Sequence, residues 1–95
     1  MVKPLNVFQK EVFVQDSFGI HARVAAKIVE LTNKFNADVF LIKEGKEASA
    51  KSIIEILMLA VQKGDKITIK AYGIDAEKVI KEISNFLDNN FGVYK

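Results

Sequence analysis

The sequence predicts an α+β domain in which helices cover one face of a small sheet and the other face stays wet. Three patterns carry that expectation. Residues 66–71 alternate Ile67, Ile69 and Ala71 with Lys66, Thr68 and Lys70, the period-two signature of a strand with one solvated face. Two other stretches repeat apolar residues every three or four positions, as amphipathic helices do. The segments follow one another as strand, helix, strand, weak strand, helix, strand, helix, with no internal repeat or low-complexity segment.

The elements can be justified in order. Residues 1–7 read as a short lead-in containing Pro4, and residues 8–15 (FQKEVFVQ) as a strand rich in β-branched and aromatic side chains. On it Phe8, Lys10, Val12 and Val14 share one face, and Phe13 stands among polar residues on the other, where simple surface exposure explains it better than a binding role. After a turn at residues 16–19, Ile20, Val24, Ile28, Leu31 and Phe35 form a helical stripe that begins near His21 and ends at residues 33–36, where Asn33 and Asn36 offer a left-handed exit. Residues 38–43 (DVFLIK) form a short strand, Glu44, Gly45 and Lys46 a turn, and residues 47–50 either a weak strand or a loop. Ser52 and Glu55 have the spacing of a capping box, in which the serine accepts an early helical N–H and the glutamate reaches back. The helix that follows is apolar at every position from 53 to 61 except Glu55. A helix in so small a domain is not buried all round, so Ile53, Ile54, Leu57 and Met58 are candidates for an exposed docking patch. Gly64 and Asp65 turn the chain into the alternating strand, Gly73 ends it, and Asp75 can cap a last helix with Val79, Ile80, Ile83, Phe86 and Leu87 on its inner stripe.

Composition narrows the function. Ninety-five residues, 49% hydrophobic and 27% charged, make one domain over 1–95 and an ordinary globular chain. A net charge of +2, with lysines scattered among acids, argues against nucleic acid. The absence of cysteine removes disulfides and thiolate metal sites and fits a reducing compartment, with cytoplasm the default expectation. The N-terminus has no signal-like apolar core, and the apolar run at 53–61 is far below the roughly 18–20 residues that cross a bilayer, so no membrane insertion is expected. No metal-ligand spacing or phosphate-binding glycine loop is present, and no metal or cofactor is expected.

The chemistry concentrates at His21 and Arg23, the only histidine and the only arginine, two residues apart at the start of the first helix. First-turn N–H groups lack intrahelical acceptors and carry partial positive charge, which makes Ala22 and Arg23 a candidate anion site. A neutral imidazole beside such a site is a nucleophile. Arginine adds a planar fork that matches phosphate oxygens in pairs, which lysine does not. With no second catalytic group, one histidine, one arginine and a helix terminus suffice for accepting a phosphoryl group from one partner and surrendering it to another.

Residues 19–25 (GIHARVA) resemble G-[IL]-H-A-R-P-A, the active-site signature of the HPr family, the histidine phosphocarriers of the bacterial sugar phosphotransferase system. Residues 51–59 (KSIIEILML) independently resemble the K-S-I-M-G-V-M-S-L segment of the family's second helix at the right distance, and the likeness covers about residues 8–87. The resemblance implies a βαββαβα open-faced β-sandwich, a four-stranded antiparallel sheet with three helices on one face. It implies that His21 takes a phosphoryl group on Nδ1 from phosphorylated Enzyme I and passes it to sugar-specific IIA proteins. Arg23 would help to hold the group, and Ile53, Ile54 and Leu57 would form the docking patch. The chain would thus be a monomeric carrier and not an enzyme. Ser52 matches a serine phosphorylated by a dedicated kinase in some Gram-positive members, which adds a serine kinase or a transcriptional regulator as further partners. Val24 replaces the family's proline and Glu55 its usual glycine. These departures support an alternative, a regulatory protein-binding module with changed partners.

Overall fold

The computed structural model describes residues 7–15 and 18–88. Seven elements follow in order: β1 (Val7–Phe13), α1 (Ala22–Asn33), β2 (Asp38–Lys43), β3 (Lys46–Ser49), α2 (Ile53–Met58), β4 (Lys66–Tyr72) and α3 (Ala76–Asp88). The lead-in, apart from Val7, and the turn positions Asp16 and Ser17 lie outside the described residues.

The strands form one four-stranded sheet in the order β1-β4-β2-β3, with every neighbouring pair antiparallel. Because β4 runs against both β1 and β2, those two are parallel to each other, and α1 carries the chain between them while leaving a slot for β4. The register aligns Leu41 with Ile69 and Ala48, and Val39 with Ala71. On β1 it aligns Val12 with Ile67. All of these side chains are buried on the helix side. They meet Val24 and Ile28 from α1, Ile56 from α2, and Val79, Ile83 and Leu87 from α3. α3 lies over β1 and β4, and α1 packs against both α2 and α3. The predicted α+β plan and its one-sided helix layer are therefore present.

The weak third strand, β3, is real because its turn is well made. Glu44 (φ 50°) and Gly45 (φ 80°) both take left-handed conformations, the two-residue hairpin geometry that matches strand twist, and they pair Lys43 with Lys46. Three local expectations are corrected. The first helix does not exit through a left-handed asparagine: Lys34 is right-handed (φ −79°), its N–H donates to the Leu31 carbonyl and the Phe35 N–H to that of Thr32. The Ser52/Glu55 box is only half formed. Ser52 Oγ accepts the Glu55 N–H at 3.2 Å, but Glu55 Oε1 accepts from the Ser49 N–H at 2.9 Å and so ties α2 to the end of β3. The Asp75 carboxylate is likewise turned to another element, accepting from the Asn36 N–H at 2.8 Å, while Asp75 O starts the helix by accepting from Val79 N.

The open face is less uniformly polar than alternation suggested. Phe40 stands edge-on to Tyr72 with ring centroids 6.1 Å apart, and Lys70 Nζ lies 5.4 Å from the Tyr72 ring centre. Phe13 is exposed, as its position among polar neighbours predicts.

Candidate functional site

His21 is the N-cap of α1, with extended backbone (φ −104°, ψ −177°). Its carbonyl accepts the Ala25 N–H at 2.9 Å, while its side chain makes no capping hydrogen bond. The ring is therefore not consumed in holding the helix. His21, Ala22 and Arg23 are exposed, and the next two residues, Val24 and Ala25, are fully buried. The helix is thus anchored by Val24 and Ala25, with His21, Ala22 and Arg23 exposed ahead of them. Val24, where the resembled signature has proline, is a core residue, so its side chain contributes packing that anchors this end of α1.

The turn before His21 is fixed from outside. Gly19 is left-handed (φ 63°), and a Cβ there would overlap the Val61 carbonyl oxygen and lie 2.8 Å from the Gln62 Cα. The next N–H, of Ile20, donates to Val61 O at 3.0 Å. The chain before the turn is held by the same segment, with Val14 N donating to Asp65 O at 2.9 Å and Gly64 N to Val14 O at 2.7 Å. Residues 61–65 therefore grip both sides of the turn that delivers His21.

The apolar start of α2 divides by exposure. Ile54 and Met58 are 66% and 76% exposed and Ile53 is 39% exposed, whereas Leu57 is half-buried against the core and Ile56 is buried. Of the residues expected to dock partners, Ile53 and Ile54 expose apolar surface, and Met58 exposes more than Leu57. Phe18, three residues before His21, is also highly exposed, and the sequence reading gave it no role. α2 rises only about 9 Å over its six residues. Ser52, half-buried, is the N-cap of α2, its hydroxyl engaged by the Glu55 N–H.

Among the described residues, no group of three His, Cys, Asp or Glu side chains could hold a metal ion. No described helix is long and apolar enough to cross a membrane. The charged group the sequence reading missed is Lys43. Its ammonium pairs with Asp65 Oδ2 at 2.9 Å and donates to Ala60 O at 2.9 Å and Leu59 O at 3.3 Å. Asp65 is held below the usual carboxylate range, first by the Gln62 N–H and then by Lys43. A carboxyl depressed on folding stabilises fully above its unfolded value of 3.8, and that contribution disappears as pH falls through the lower folded value. Asp65→Asn is accordingly expected to flatten the acid limb of stability, measured by urea unfolding from about pH 5 down to about pH 2.

The structure is an open-faced sandwich whose only histidine is exposed at the start of its first helix. Residues 8–89 match the family described as "PTS HPr component phosphorylation site". The chain belongs to the HPr family of phosphocarrier proteins of the phosphotransferase system. It is 38% identical to the HPr-like protein Crh of Bacillus subtilis (strain 168) over 79 residues, 83% of this chain and 93% of Crh. The crystal structure of the phosphocarrier protein HPr from Bacillus anthracis str. Ames superposes with a TM-score of 0.81 at 41% identity, covering 85% of this chain and 96% of that one. A crystal structure of B. subtilis Crh, a dimer with a swapped domain, matches at a TM-score of 0.71 and 34% identity over 95% of this chain and 97% of that one. That relative contrasts with the monomer expected from the sequence.

Proposed function

We propose that the chain is a cytoplasmic phosphocarrier whose His21 accepts a phosphoryl group from phosphorylated Enzyme I and passes it to sugar-specific IIA proteins. The observation that carries this reading is the exposed His21 ring, placed at a helix N-terminus without a capping bond. In the transfer the imidazole Nδ1 lone pair forms a nitrogen–phosphorus bond as the bond from phosphorus to the donor breaks. The Ala22 and Arg23 N–H groups and the Arg23 guanidinium stabilise the phosphoryl oxygens, and the reverse exchange hands the group on. The chain is consumed and regenerated as a protein substrate and needs no cofactor. Ile53 and Ile54, with Leu57 beneath them, form the apolar surface on which Enzyme I and IIA proteins dock in turn.

The direct test supplies labelled phosphoenolpyruvate, Enzyme I and a IIA protein. Label is expected on the IIA protein only when the chain is present. Failure of a folded chain to pass label, with a conventional HPr succeeding in parallel, contradicts the relay.

A second reading, a regulatory module that engages a transcriptional regulator, is favoured by the likeness to Crh and by Glu55, which fills a family glycine position and is anchored to Ser49. Under it a serine kinase would modify Ser52. That modification would replace the Ser52 hydroxyl proton with a dianion close to the Glu55 carboxylate. Glu55→Gly is expected to raise the rate of Ser52 phosphorylation by a serine kinase of a Gram-positive phosphotransferase system, measured by phosphate incorporation. An unchanged rate removes Glu55 as the obstacle.

A further inference from the structure

Lys43 breaks the apolar pattern of β2. Val39 and Leu41 point to the helix side and are buried, and Lys43 continues the same alternation with a side chain only 16% exposed. Its ammonium closes on three oxygens: Leu59 O, Ala60 O and Asp65 Oδ2. The first two are carbonyls at the C-terminal end of α2, where the helix itself supplies no further donors. Ala60 is also left-handed (φ 53°) without being glycine, a conformation that needs support from its surroundings. Asp65 in turn accepts the Gln62 N–H at 2.8 Å, so the loop from 59 to 65 is closed around one cation. This is the loop whose Val61 O, Gly64 N and Asp65 O hold Val14 and Ile20 on either side of the turn leading to His21.

We infer that Lys43 is a positioning residue for phosphoryl transfer: by fixing the loop at 59–65 it sets where the His21 imidazole stands relative to the first N–H groups of α1. The role rests on the reading of His21 as the phosphoryl acceptor. Lys43 acts through Val61 O and the Ile20 N–H and does not touch the phosphoryl group. Because in-line transfer depends steeply on the placement of the attacking atom, a loosened loop lowers turnover more than it lowers docking. Ile53 and Ile54 are at the other end of α2, on side chains the cation does not contact.

The test uses Lys43→Met, which keeps the aliphatic stem and removes the donors, with Lys43→Arg as the conservative variant. Phosphorylation by phosphorylated Enzyme I is followed at varied chain concentration, and backbone amide exchange is followed by NMR. For Lys43→Met the expected result is a kcat about 10-fold lower with KM within about 2-fold, and recovery of most of the rate in Lys43→Arg. Ile20 amide exchange should accelerate about 10-fold while Ile69, in the centre of β4, keeps wild-type protection. Where Lys43→Met does not fold, Asp65→Asn, which leaves the ammonium on its two carbonyls, should show the same pattern more weakly. Unchanged kcat in a folded Lys43→Met, or unchanged Ile20 exchange, would overturn the positioning role alone. A wild-type chain that takes no phosphoryl group would overturn the acceptor reading and this role together.

Discussion

Gly19→Ala is expected to lower Tm by about 10 °C or more, and to impair phosphorylation even at temperatures where the variant is folded. The left-handed conformation at this position costs an alanine about 1–2 kcal/mol. The added Cβ must also push away the Val61 carbonyl, which is backbone and cannot rotate aside. Displacing that carbonyl breaks its bond from the Ile20 N–H, the last fixed point before His21. A domain of this size holds only about 5–15 kcal/mol of stability, so the loss is a large fraction of the whole. Thermal unfolding by circular dichroism measures the first effect. Gly45→Ala is the control: it shares the left-handed strain (φ 80°) but a Cβ there meets nothing within 4 Å, so it should lose less stability and leave phosphorylation unchanged.

Ile54→Glu is expected to leave the fold intact and to raise the KM for Enzyme I by about 30-fold, the loss of about 2 kcal/mol typical of a central apolar contact in an interface. Ile54 is 66% exposed, so the substitution removes little core packing. A carboxylate in its place would have to be desolvated on docking, close to the carboxylate of Glu55. Steady-state phosphorylation at varied chain concentration separates this effect from Gly19→Ala, which should act mainly on kcat. An unchanged KM would remove the start of α2 from the docking surface.

The layer plan of the domain was legible because its determinants are periodic and local. Ile67, Ile69 and Ala71 declare an inner sheet face by alternation, and Val24, Ile28 and Leu31 declare a helical stripe by spacing; all six are buried where those periods put them. The position of the candidate site was legible for a related reason, since a histidine and an arginine beside a helix start need no distant residue to suggest anion chemistry. Two of the mistaken expectations are settled by hydrogen bonds to a neighbouring element. Glu55 reaches Ser49 instead of its own helix cap, and Asp75 accepts from Asn36, 39 positions away. In both cases a backbone N–H of another segment lay within reach of a carboxylate that local rules assign to its own helix. Lys43 was overlooked although its signal was present, as a lysine in register with Val39 and Leu41 at the end of the inward face of β2. Its partners Leu59, Ala60 and Asp65 are 16 to 22 positions on, and only the folded chain brings them together.

The most direct measurement of the central claim is intact-mass spectrometry of the chain after incubation with phosphoenolpyruvate and Enzyme I. The expected result is the gain of one phosphoryl group that is lost in acid and is absent from His21→Ala, whose exposed ring can be removed without disturbing the core. A wild-type chain that gains no mass beside a conventional HPr that does, or a His21→Ala variant that gains it equally, would contradict the assignment of His21 as the phosphoryl acceptor.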